Sequence, residues 1–135
     1  MKAKRSVALA LGIGMLLGAL AASTLADEKS GPRIETVLKS DLASADDLEV
    51  IVSIVDIPAA TTLPKHHHPG EEFIYVLEGS GYLWLDGQGD TMASAGDAAK
   101  IPLEQIHTAR TDDEPMRAVV FRVHKKGEPE RILVE

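Results

Sequence analysis

The chain has 135 residues, 14 basic and 21 acidic side chains for a formal net charge of −7, and no cysteine. That acidity argues against nucleic acid or an anionic membrane surface as a partner, because both call for basic patches. Without cysteine there is no disulfide framework and no thiolate ligand, so an oxidising compartment poses no folding hazard.

Residues 1–26 read as a signal peptide. Lys2, Lys4 and Arg5 precede an uncharged apolar run over 7–22, and Thr24-Leu25-Ala26 puts small residues where a signal peptidase cuts. At about 20 residues the run is also long enough to cross a bilayer as a retained anchor. On either reading the rest of the chain is exported, to the periplasm or beyond. Cleavage removes three of the basic residues and none of the acidic ones, leaving −10 over 109 residues and no expected membrane contact. One domain of that size can bury its own core.

Residues 27–32 are a polar lead-in, 34–38 a short edge strand and 43–47 a turn rich in turn formers. Residues 49–57 carry the densest β-branched run and end at Pro58. Their near-continuous apolarity predicts burial on both faces and, with it, a homodimer.

The chain then reaches His66-His67-His68-Pro69-Gly70-Glu71-Glu72. Side chains of an extended segment alternate faces, so His66, His68 and Glu72 share one face while His67 and Glu71 point away. Two imidazoles and a carboxylate converging on an interior point call for a cation, since buried charge is costly unless paired. His107 lies 28 residues beyond Gly79 and would complete the set if the two stretches run side by side; together they hold four of the five histidines. Three imidazoles and a carboxylate suit one divalent transition metal, whether iron, manganese, nickel, copper, cobalt or zinc. In six-coordinate geometry such a site keeps open positions for a small-molecule ligand or substrate.

Beyond the first motif, Ser80-Gly81 and Gly87-Gln88-Gly89 are expected as turns on either side of a strand over 82–86, with further strands over 91–94, 98–101, 106–109 and 116–124. Strands at intervals of roughly 8–12 residues mean an all-β sandwich or barrel. In the last strand Val119, Phe121 and Val123 are assigned to the core, which makes His124 an exposed strand end. Tyr75 differs in parity from Glu72 and should face away from the site. Thr111 shares a face with His107 and offers it a hydroxyl.

The pattern His66-x-His68-x3-Glu72-x6-Gly79, followed by Gly96-x5-Pro102 and His107, resembles the two motifs of the cupins. The resemblance covers roughly residues 48–124 and implies a single jelly-roll (double-stranded β-helix) barrel there, with a tail over 125–135. It also implies His66, His68, Glu72 and His107 as the metal ligands. Ala60 and Glu104 stand where the family usually has glycine, and Thr111 where it has asparagine. A turn that wants φ > 0 takes Gly far better than Glu, so the turn at Glu104 is expected in another conformation. Similar cupins include dioxygenases and oxidases, which makes a metal-dependent oxidation of a small oxygen-rich molecule the leading expectation, with Glu72 doubling as general base. The alternative is a non-catalytic periplasmic module that captures a metal or small ligand.

Overall fold

The computed structural model describes residues 31–135, so the expected signal peptide and most of the lead-in lie outside the described residues. Nine strands form: β1 (Arg33–Leu42), β2 (Ala45–Ile57), β3 (His66–His67), β4 (Gly70–Leu85), β5 (Gly89–Ser94), β6 (Ala98–Ile101), β7 (His107–Arg110), β8 (Met116–Lys125) and β9 (Ile132–Leu133). Every pairing is antiparallel, and there is no helix among the described residues. One sheet runs β1-β2-β8-β4-β6 and the other β5-β4-β7-β3-β9, so the long β4 belongs to both. The all-β class expected from strand spacing is what forms.

The change of sheet happens inside β4. A register shift between Val76 and Glu78 bends the strand, and Gly79 follows at φ 72. A side chain at Gly79 would also collide with the Pro115 carbonyl, so glycine is required twice over. The expected turn at Ser80-Gly81 is therefore corrected: both residues stay in the strand and pair with Ser94 and Ala93. A bulge plus one left-handed glycine redirects a strand without ending it, which strand-and-turn punctuation does not reveal.

Between the sheets, Val55, Ile57, Leu63, Val76, Met116 and Val120 form one apolar cluster, and Leu83, Leu85 and Ile101 another. Full burial of such side chains stabilises by about 1.5–3 kcal/mol each. In β2 the odd positions Ile51, Ser53, Val55 and Ile57 are buried within the chain, as is Val50, while Val52 and Ile54 on the other face are half-buried. In β8 the expected parity is inverted. Met116, Ala118, Val120, Arg122 and His124 face inward, Phe121 is 38% exposed, and His124 is fully buried rather than a strand end. Both parities of β8 carry apolar residues. Pairing of Val120 with Ile74 and Arg122 with Glu72 on β4 fixes which set turns in.

The last residues do not trail away. Strand β9 pairs with β3, setting Leu133 opposite His66 and Ile132 opposite His67, and the Val134 N–H donates to the Lys65 carbonyl at 3.0 Å. The segment after β8 thus straps across the end of the sheet that carries the histidines.

Candidate metal centre

Strand pairing brings the histidines together. His66 on β3 lies directly opposite His107 on β7, and β7 lies beside the second half of β4. His68 follows two residues after His66, and Glu72 projects from the first half of β4, in the facing sheet. The four residues therefore meet between the sheets, and all are buried, at 3–7% exposure. The histidine ring centroids are 4.3–5.2 Å apart, and one ring nitrogen from each falls in a group spanning at most 4.8 Å. Glu72 Oε2 is 2.9 Å from His68 Nε2, and Oε1 is 3.6 Å from His107 Nε2. His67 stands outside this group.

Backbone carbonyls fix the tautomers. His66 Nδ1 donates to Pro64 O at 2.8 Å, His107 Nδ1 to Gln105 O at 2.8 Å, and His68 Nδ1 to Glu130 O at 2.5 Å. A carbonyl can only accept, so each Nδ1 carries a hydrogen, and in the neutral ring each Nε2 is left with a lone pair. The Nε2 atoms of His68 and His107 are buried without a hydrogen-bond partner. At 2.9 Å, His68 Nε2 and a carboxylate oxygen face each other, an arrangement satisfied by a metal ion shared between them or, without one, by a second proton on the ring. The donor set fits a first-row divalent metal, and the carbonyl-held Nδ1–H groups are the support such ligands normally have.

Electrostatics agree with this. Burial, and then the other two imidazoles, push the His66 ring down to about 4, so it is neutral and free to ligate at ordinary pH. Burial by itself would raise the Glu72 carboxyl, but in the metal-free site hydrogen bonds and positive charge from His107 and His68, each carrying a proton on Nε2, prevail and hold it at about 2, so protons fill the place of a cation there.

The turn before His107 keeps its shape despite Glu104. Glu104 adopts φ 58, and Ala60, the other glycine substitute, φ 53. The expectation of a different turn is thus corrected: the chain accepts left-handed strain, and the Glu104 N–H still donates to the His68 carbonyl at 3.2 Å. The Thr111 hydroxyl does not reach the site; it donates to Pro58 O at 2.5 Å and accepts from Thr61 N–H at 3.2 Å, tying the β2–β3 connection to the end of β7. Tyr75 faces away as expected, at 49% exposure.

A cavity of about 420 Å³ opens over the four residues, walled by Val55, Ile57, Leu63, Ile74, Leu83 and Met116, with Arg122, Glu130 and Arg131 supplying further charge. Sequence reasoning missed Arg122, because the inverted parity of β8 had put it outside. It also missed the Glu130 carbonyl, since a backbone group 62 residues from His68 leaves no trace in a side-chain pattern.

A cupin-domain family model matches residues 53–122. Over 68 residues the chain is 33% identical to dimethylsulfoniopropionate lyase DddQ of Ruegeria pomeroyi, a match covering 50% of this chain and 34% of that relative's length. The crystal structure of DddQ from Ruegeria pomeroyi superposes with a TM-score of 0.65 at 25% identity, covering 81% of this chain and 54% of that one. The polyketide cyclase RemF from Streptomyces resistomycificus (TM-score 0.60, 24% identity, 77% of this chain and 72% of that one) and a cupin-like protein from Thermotoga maritima (0.64, 18%, 78% and 77%) share the fold. A double-stranded β-helix with the motif histidines gathered between its sheets, matched over half its length by the family model, this chain belongs to the cupin family.

Proposed function

We propose that the protein is a metal-dependent cupin enzyme acting on a small molecule, with His66, His68, Glu72 and His107 as the metal ligands. The observation that carries this reading is the convergence of three buried imidazoles, each with Nδ1 on a backbone carbonyl and their ligand nitrogens within 4.8 Å of one another, on the Glu72 carboxylate. A bound divalent ion supplies Lewis acidity toward an oxygen of the substrate. The chain's own residues do the rest. Apolar walls strip water from the substrate, the three carbonyl-held imidazoles keep their lone pairs aimed inward, and Glu72 is the carboxylate nearest the ligand nitrogens.

Two reaction classes follow. In an elimination, a carbon-bound proton passes to Glu72, its electron pair forms a C=C bond, and the leaving group departs with its own bonding pair. The similarity to a lyase supports this class. Oxidation by dioxygen, the dioxygenase-like expectation, rests on the resemblance of the four-ligand set to that of oxidative cupins. Zinc separates the two, because it has no redox chemistry. Turnover of a 3-substituted propionate such as dimethylsulfoniopropionate by zinc-loaded protein supports elimination. Oxygen consumption only with iron, manganese, nickel, copper or cobalt supports oxidation. No turnover with any of the six sinks the enzyme reading.

A specific observation favours the alternative of a non-catalytic binding module. A carboxyl held at about 2 is a weak proton acceptor, and among the described residues the cavity lining offers no tyrosine, lysine or cysteine in its place. The reading also includes export through residues 1–26, checked by a mature N-terminus at Asp27. It includes a homodimer packed through the outer face of β4 and β8, where Phe73, Tyr75 and Phe121 are 38–49% exposed. Light scattering should give twice the monomer mass, and Phe121→Glu half of that.

A further inference from the structure

We propose that Arg122 makes the cavity a carboxylate site, so that the small molecule taken up is a short aliphatic acid whose carboxylate sits against the Arg122 guanidinium. The inference deepens the functional reading above and shares its cavity, but it stands on a different residue.

Arg122 is 5% exposed and lines the cavity beside Glu72, its directly paired neighbour on β4. A guanidinium has five N–H donors. Among the described residues only two bonds are made, both long: Nη1 to the Glu130 carbonyl at 3.2 Å and Nη2 to Ser53 Oγ at 3.3 Å. The Nε–H has no hydrogen-bond partner, and the closest carboxylate oxygens, Glu72 Oε2 and Glu130 Oε2, stand off at 3.8 Å. A buried cation with an orphaned donor is costly, and replacing that donor's lost water with a planar anion is what guanidinium geometry does best.

The surrounding charges favour the same class of ligand. Glu72 is engaged by His68 and His107, and a divalent ion on those ligands leaves the cavity floor net positive. Glu130 is 43% exposed at the rim, where solvent screens it. The remaining walls are aliphatic, including Val55, Leu63, Ile74 and Met116, which suits a hydrocarbon stem. An acidic chain thus carries a locally positive interior, and the anion is drawn in by Arg122 as well as by a metal.

The competing role is structural: Arg122 would merely steady Glu72. Butyrate and its neutral isostere butyramide distinguish the two, titrated by calorimetry into zinc-loaded full-length protein and into Arg122→Gln, with zinc content measured on both. The proposal expects wild type to prefer butyrate, and the preference to fall about tenfold or more in Arg122→Gln while zinc stays bound. An unchanged preference alongside weakened zinc binding or folding would overturn it. The Arg122 Nε–H resonance of wild-type protein decides the matter without a variant: it should shift with butyrate and not with butyramide, and no shift overturns the proposal. Protein that takes up no zinc would refute the metal reading, yet the same resonance, read in that protein, still decides for or against Arg122.

Discussion

Removing residues 128–135 tests whether the C-terminal strap is part of the metal centre. The deletion takes away the Glu130 carbonyl that holds His68 Nδ1, the β9 pairing opposite His66 and His67, and the Val134 N–H bond to Lys65. His68 would then be free to rotate and to move its hydrogen to the other ring nitrogen. Loss of such a support typically costs 10–100-fold in metal affinity, or about 1.4–2.7 kcal/mol. Folding should suffer less in proportion, because Leu133 is 61% exposed and neither apolar cluster draws on the strap. The partly buried bonds from His124 to Pro129 O and from Arg122 to Glu130 O are also lost, each worth about 1 kcal/mol, although the deletion lets water replace them. The assay is competition for zinc against a chromophoric chelator, with Trp84 fluorescence confirming the fold. A truncated, folded protein binding zinc within twofold of the full chain would refute the reasoning.

Other expectations follow from the same geometry. Glu104→Gly should stabilise by about 0.5–1 kcal/mol, since a left-handed L-residue costs about 1–2 kcal/mol and glycine returns part of that as unfolded-chain entropy. Thermal unfolding would read this as a rise of a few degrees, and a fall would mean the Glu104 side chain has an unrecognised role. Glu72→Gln should lose most bound metal; if the variant kept both full metal content and full activity, Glu72 would be neither ligand nor base. Metal-free protein should lose stability as pH falls from 6.5 toward 4, because across that window the unfolded chain protonates the His66 imidazole and the folded chain does not. The Glu72 carboxyl adds a loss of its own between 4.5 and 2, where the unfolded carboxyl is protonated and the folded one still ionised. Denaturant midpoints flat from pH 7 to 4 would contradict the first, and midpoints flat from 4.5 to 2 the second.

What was legible in the sequence were features that follow from local period and spacing. The expected strand over 98–101 forms as β6 (Ala98–Ile101), and even numbering grouped His66, His68 and Glu72, although they meet because β3 and the first half of β4 lie in facing sheets and not on one face of a single strand. What was not legible depends on distant partners. Only the pairing of β8 with β4 decides that Arg122 and His124 turn inward, because Val119, Phe121 and Val123 make an equally apolar set facing outward. The bend of β4 at Gly79 looks like a turn until its two halves are seen pairing in different sheets. Glu104 shows the limit of residue preference: hydrogen bonds made by the backbone on both sides of the turn outweigh a strain of about 1–2 kcal/mol.

The central claim is that these four side chains hold a metal, and elemental analysis of the mature protein, purified from its native compartment beside His107→Ala, tests it most directly. The account expects about one divalent transition-metal ion per chain in the wild type and its loss in the variant. Wild-type protein that is metal-free as purified, and stays so after incubation with iron, manganese, nickel, copper, cobalt and zinc in turn, would contradict it.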